Sequence, residues 1–159
     1  NVAGADPSGR AGQSGKNASH LIKIACQAAL GTRESLAIFG QDYPTKDGTC
    51  IRDYVHVSDL VQAHGLALEY ICNTSSRLIA NCGYGNGFSV HEVVNTVKEI
   101  SGFDFPVRLA ERRAGDPSSL VADGQLLRQA LGWLPQYDDL KIIVRHALEW
   151  EKKITNFQV

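Results

Sequence analysis

An excess of charge of either sign is missing from this 159-residue sequence: 16 Lys and Arg stand against 17 Asp and Glu, a formal net charge of -1. Without a broad basic field, neither nucleic acid nor an anionic membrane surface is an expected partner. No apolar run is long enough to span a bilayer, and Asn1 to Gly15 is small and polar where a signal peptide carries an apolar stretch. A cytoplasmic protein is therefore expected. The four cysteines, Cys26, Cys50, Cys72 and Cys82, form no Cys-x-x-Cys pair and have no histidine at zinc-finger spacing. Reduced, buried thiols are expected, with no metal site and no disulfide. Gly-x-Ser-x-Gly, His-Glu-x-x-His and P-loop motifs are missing as well. A Tyr-x-x-x-Lys spacing occurs at Tyr137–Lys141. It opens a helix after Pro135 with no cofactor loop upstream, so it reads as a coincidence of spacing.

What is present suits one globular domain: 43% hydrophobic and 21% charged residues over a length that can bury a core. Asn1 to Lys16, rich in Gly, Ser and Ala, reads as a loop. Leu21, Ile24, Ala25 and Ala28 repeat at helical spacing within Ser19–Leu30, and Gly31 stops the helix. Leu36–Phe39 reads as a short buried strand closed by Gly40, and Gln41–Thr49 as a turn-rich loop with Pro44, Asp47 and Gly48. Cys50–Val57 is β-biased. Ser58 or a neighbour caps a helix to about Ile71 with Leu60, Ala63, His64 and Ala67 on one stripe. Arg77–Cys82 reads as a strand. Ser89 and Glu92 form a capping box for a helix to about Ile100, stopped by Gly102. Pro106–Ala110 and Leu120–Ala122 read as extended. Asp123 is a candidate cap for Gln125–Leu131, which Gly132 stops. Asp138 or Asp139 starts a last helix to about Lys153. Short strands alternating with helices predict an α/β fold.

Three segments carry candidate chemistry. Gly83-Tyr84-Gly85-Asn86-Gly87 lies between a strand and a helix, but its glycines fall at every second position and no acidic residue ends a second strand about twenty positions on. It therefore reads as a structural or substrate-side turn. In Cys50-Ile51-Arg52-Asp53-Tyr54-Val55-His56-Val57, two charges sit inside an apolar run. A buried charge needs a partner, either a salt bridge or an anion presented to Arg52, because guanidinium donors match phosphate oxygens bidentately. Glu111-Arg112-Arg113-Ala114-Gly115-Asp116-Pro117 is either a solvated cluster or the second half of a pyrophosphate clamp.

Taken together, Ser35-Leu36-Ala37-Ile38-Phe39-Gly40, Asp42-Tyr43-Pro44-Thr45, Asp47-Gly48-Thr49, Arg52 through Leu60, Asn81 through Val90 and Arg112 through Pro117 resemble the UDP-glucose 4-epimerase family of extended short-chain dehydrogenase/reductases, over essentially the whole chain. The resemblance implies the C-terminal, substrate-binding portion of an NAD-dependent Rossmann-type epimerase. The N-terminal half, with most of the NAD site and a catalytic Tyr-x-x-x-Lys pair, is not in this sequence. Asn1 is not a start residue and the first residues read like a strand end, so a fragment is expected, inactive alone and either marginally stable or self-associating. Residues 1–159 would be one UDP-sugar-binding domain, with about 77–102 completing the Rossmann sheet in a longer chain.

By the same resemblance, Asn1 stands near the diphosphate and His20 where a polar side chain approaches the substrate, with Leu21 as the adjacent backbone contact. Ala37 and Phe39 match the uracil site, Arg52 and Arg113 the diphosphate clamp, and Asp116 the ribose partner. Leu120 occupies a sugar-facing position that is bulky in some members and small in others, which implies a pocket able to admit an N-acetylated sugar. The implied partners are a UDP-sugar and, for the longer protein, a second copy in a homodimer. The competing readings are a non-catalytic UDP-sugar or nucleotide-binding module, and part of a sugar-nucleotide decarboxylase or dehydratase.

Overall fold

The computed structural model describes residues 1–15 and 18–156. Lys16, the end of the expected first loop, lies outside the described residues. Among the described residues, seven short strands and five helices follow one another as an α/β chain: β1 (Val2–Ala3), α1 (Leu21–Ala29), β2 (Leu36–Phe39), β3 (Ile51–Arg52), β4 (Val55–His56), α2 (Val57–Thr74), β5 (Phe88–Ser89), α3 (Val90–Ser101), β6 (Val107–Ala110), β7 (Ser119–Leu120), α4 (Gln125–Leu131) and α5 (Leu140–Asn156).

The core is a trio of helices. α1, α3 and α5 pack on one another because each carries small or branched apolar residues three and four apart: Ile22, Ala25 and Cys26 on α1, Val93, Val94 and Val97 on α3, Ile143, Val144 and Ala147 on α5, all buried. Each fully buried valine or isoleucine stabilises by roughly 1.5–3 kcal/mol. The helix ends follow the sequence. Ser89 Oγ accepts from the Glu92 amide at 3.0 Å and Glu92 Oε2 accepts from the Ser89 amide at 2.7 Å, completing the capping box of α3. Gly102 and Gly132 end α3 and α4 in the left-handed region, at φ 70° and 65°. Asp139 Oδ1 accepts from the amides of Lys141 and Ile142 at the start of α5.

Three small sheets sit around this trio. β1 pairs parallel with β4, β2 pairs parallel with β6, and β3 lies between antiparallel β5 and parallel β7. Two of the pairings set up the cleft described below, since β6 and β7 flank the 111–118 loop and tie its two ends to β2 and β3.

Four expectations are corrected. Arg77–Cys82 forms no ladder among the described residues, and Ile79 is 87% exposed; a strand is a pairing relation, and no edge lies beside it. Of the stripe expected on α2, Ala63 is buried and Leu60 packs against the core, whereas His64 is exposed and Asp59 completes the buried face instead. Cys72 is exposed rather than buried, because the end of α2 extends beyond the core. Finally, α2 is capped by His56, whose Nδ1 accepts from the Ser58 amide at 3.1 Å.

His56 also stacks on Tyr137 with centroids 4.4 Å apart, while Lys141 Nζ reaches Glu99 at 2.5 Å. The Tyr137–Lys141 spacing thus sends its two side chains to unrelated partners.

Candidate functional site

The candidate residues of β2, β3 and the 111–118 loop converge because of strand register. Along β2, Leu36 and Ile38 point into the core while Ala37 and Phe39 are partly exposed, the period of two expected of a strand with one buried face. β6 runs beside β2 with Phe39 opposite Ala110, and the Gly40 amide donates to Ala110 at 2.8 Å. The chain leaving β6 is thereby launched past Phe39. It returns at β7, where Ile51 is opposite Ser119 and Arg52 opposite Leu120, and the Ile51 amide donates to Ser118 at 2.8 Å. The 111–118 loop is anchored at both ends, one against the aromatic strand and one against the arginine strand.

That loop brings Asp116 between two arginines. Arg113 Nε donates to Asp116 Oδ2 at 2.9 Å, and Arg52 stands 3.6 Å from Oδ1. The Arg113 guanidinium also lies over the Phe39 ring, 5.0 Å from its centroid. Its neighbour Arg112 is used differently: it is hydrogen-bonded to Asp42 through Nε at 2.5 Å and sits 4.0 Å over the Tyr43 ring. The hydrogen bond from Arg112 holds the Asp42 carboxyl below the usual range. Of the consecutive arginines, Arg112 braces the loop at residues 41–43 and Arg113 faces open space.

Asp53 does not pair with Arg52. Its Oδ2 accepts from the Ala122 amide at 3.1 Å, and its backbone carbonyl accepts from Asn1 Nδ2 at 3.0 Å. Asp53 thus ties β7 and the first residue to the segment behind Arg52. The glycine loop is explained by packing. A Cβ on Gly83 would lie 2.7 Å from Ala122 Cβ and 2.8 Å from Asp53 Oδ2, and one on Gly87 would lie 2.6 Å from both Ile51 and Val121 side chains. These glycines let the loop backbone lie directly against neighbouring side chains, and the residues present do not fit a dinucleotide-binding loop. Among the described residues no group of His, Cys, Asp and Glu could hold a metal ion, and no helix is long and apolar enough to cross a membrane.

Asn1, His20, Leu21, Ala37, Phe39, Arg52, Arg113 and Asp116 all line one open cleft of about 720 Å3. Leu120 does not; it is 60% exposed on β7, in register with Arg52. The sequence reading missed Tyr54 and Arg33, which also line the cleft. Tyr54 carries a usable signal, an aromatic two residues from Arg52 and so on the same face of an extended segment; burial pushes its phenol well above the usual range. Arg33 sits in an ordinary charged turn and carries none. Chemically, the cleft offers two guanidinium groups held on one carboxylate, an aromatic ring beside one of them, and histidine and asparagine side chains in its lining. It suits a ligand that carries both a diphosphate and an aromatic ring.

The model of the family described as GDP-mannose 4,6 dehydratase matches residues 8–146. A UDP-glucose 4-epimerase of Azospirillum brasilense is 58% identical over 154 residues, which is 97% of this chain and 44% of that protein. Two solved structures superpose on the chain. One is the UDP-glucose 4-epimerase of Stenotrophomonas maltophila with bound NAD and formylated UDP-arabinopyranose, with a TM-score of 0.93 and 34% identity over 99% of this chain and 47% of that one. The other is the UDP-Glc/GlcNAc 4-epimerase of Campylobacter jejuni, with a TM-score of 0.79 and 50% identity over 96% of this chain and 46% of that one. The chain thus spans under half the length of the relatives it matches.

Proposed function

Since the chain belongs to the GDP-mannose 4,6 dehydratase family, we propose that it is the UDP-sugar-binding portion of an NAD-dependent UDP-glucose 4-epimerase, an isomerase interconverting UDP-glucose and UDP-galactose. The observation that carries this reading is the meeting of Arg52 and Arg113 on Asp116 beside Phe39, in a cleft that also holds Asn1, His20, Leu21 and Ala37. In this reading Arg52 and Arg113 take the diphosphate, each phosphate receiving its own charge-assisted donors. Phe39 and Ala37 receive the uracil, and Asp116 turns to the ribose hydroxyls. Hydride exchange with NAD at sugar C4 is supplied elsewhere in the full-length protein, together with its Tyr-x-x-x-Lys pair. The chain's own task is to hold UDP while the sugar stays free to turn, a use of binding energy remote from the reacting carbon.

The full-length protein is proposed to be a cytoplasmic homodimer in which the segment about 77–102 joins the sheet that holds the cofactor. Leu120 extends the proposal to N-acetylated sugars; it lies in register with Arg52 without lining the cleft, which leaves the cleft unobstructed by it, and the Campylobacter jejuni relative is a UDP-Glc/GlcNAc 4-epimerase. The family description names a guanine nucleotide, so competition between nucleotides is the sharpest test. Calorimetric titration of the chain with UDP and with GDP should give saturable binding of UDP at least about tenfold tighter. Equal affinity, or preference for GDP, contradicts the proposal in favour of a dehydratase or a general nucleotide module. UDP-N-acetylglucosamine should bind within a few-fold of UDP-glucose; exclusion of the acetylated sugar sinks the Leu120 reading alone.

A further inference from the structure

Beside the cleft lies a polar network that the UDP reading does not use. Lys23, on the first turn of α1, and Glu151, on α5, form a buried ion pair; each is about 5% exposed. Lys23 Nζ also donates to the Gln13 carbonyl at 3.0 Å, and Trp150 Nε1 donates to the same carbonyl at 3.1 Å. Gly12 lies flat on the Trp150 ring, where a Cβ would come within 2.5 Å. One peptide unit of an otherwise irregular segment is therefore fixed by donors from two core helices and by an aromatic wall. Such fixing matters because a loop side chain orients a partner only when its own backbone is held.

The side chain at that fixed point meets the cleft. Gln13 Nε2 is hydrogen-bonded to His20 Nδ1, and His20 lines the cleft next to Leu21. With the Gln13 amide nitrogen turned to the ring as the donor, Nδ1 accepts. A neutral imidazole that accepts at Nδ1 carries its proton on Nε2. α1 starts at the next residue with no side-chain cap, and a helix start favours an anion.

We propose that Gln13 is a positioning residue that holds His20 as its Nε2–H tautomer, so that His20 presents a hydrogen-bond donor to a phosphate oxygen of the bound nucleotide. This rests on the reading of the cleft as a UDP site. Lys23, Glu151 and Trp150 act one step further back, by fixing the Gln13 backbone. Without the Gln13 amide the ring is free to populate the Nδ1–H form, in which Nε2 is an acceptor and repels phosphate oxygen.

The tautomer is read directly by two-bond proton–nitrogen correlation spectra of the chain labelled on its histidine nitrogens, with the His20 signals assigned by difference from His20→Ala. The unliganded wild type should show Nε2–H alone. Gln13→Glu, whose carboxylate accepts, should turn the ring over to Nδ1–H and weaken UDP binding by about tenfold, the loss of one charge-assisted hydrogen bond. Gln13→Leu adds no charge; it should populate both tautomers and weaken UDP by about threefold. A wild-type ring protonated at Nδ1, or a tautomer unchanged in both variants, overturns the inference whether or not UDP binds. Altered tautomers with unchanged UDP affinity overturn the donor role. Failure of the wild type to bind UDP, with the His20 spectra as stated, overturns the proposed function and leaves the tautomer assignment standing.

Discussion

Replacing Asp59 by alanine should cost more stability than any other single change on α2. The carboxylate is 2% exposed. Its oxygens accept from Tyr84 Oη at 2.5 Å and from the amides of Gln136 and Tyr137, both at 2.9 Å, while its backbone carbonyl accepts from Trp133 Nε1 at 3.0 Å. It thereby joins the start of α2, the glycine loop through Tyr84, and the 133–137 turn before α5. Burial, and then the Asp59 carboxylate itself, push the Tyr84 phenol far above its usual range, so this hydroxyl remains a donor at any working pH. Alanine strands three donors, two of them backbone N–H groups. Each unsatisfied group costs about 1–3 kcal/mol, discounted where water can enter. The expected loss is about 3–5 kcal/mol, a large fraction of the roughly 5–15 kcal/mol of a typical domain. Urea denaturation followed by circular dichroism would measure it, with Asp59→Asn, which keeps an acceptor and the shape, losing about half as much. A loss under about 1 kcal/mol for Asp59→Ala would refute the account of this carboxylate as the joint of three segments.

Other expectations follow from buried groups. His56 is held down to about 4 by burial, then by the facing His146, with Asp59 opposing; Tyr137 stacks on it. An unfolded histidine near 6.5 takes a proton that the folded one refuses, so stability is full above about pH 6.5 and falls as pH drops toward 4, by at most about 3 kcal/mol. Unfolding midpoints across that range should show the slope, and a pH-independent midpoint would contradict it. Lys23→Met or Glu151→Leu alone should each destabilise by about 3–5 kcal/mol by leaving a buried unpaired charge, whereas the double replacement should sit within about 1–2 kcal/mol of wild type; additive losses would contradict the pairing. Burial pushes the Cys26 thiol up to about 12, and Cys72 is exposed, so a maleimide at pH 7 should label Cys72 within minutes and spare Cys26 until the chain unfolds.

Local structure was legible where the cause was local. Gly102, Gly132, the Ser89–Glu92 box and the Asp139 start were readable because one or two residues impose each end. Arg77–Cys82 was misread because its β-biased residues say nothing about whether an edge lies beside them. On α2 only His64 was misplaced, because the helix completes its contact face with a polar residue, Asp59. At the cleft, family motifs brought eight residues to one wall, yet they could not assign a duty to each arginine. Only the fold separates Arg112, bound to Asp42, from Arg113, open beside Phe39. Gln13 was invisible because its importance comes from Lys23 and Trp150, ten and 137 residues away.

The most direct test of the central claim is to map UDP onto the chain by amide chemical shifts, with Arg52→Ala alongside. The account predicts saturable shifts centred on Phe39, Arg52 and Arg113 in the wild type, and their loss in a variant that remains folded. Saturable shifts elsewhere, or shifts at these residues that survive in Arg52→Ala, would contradict it.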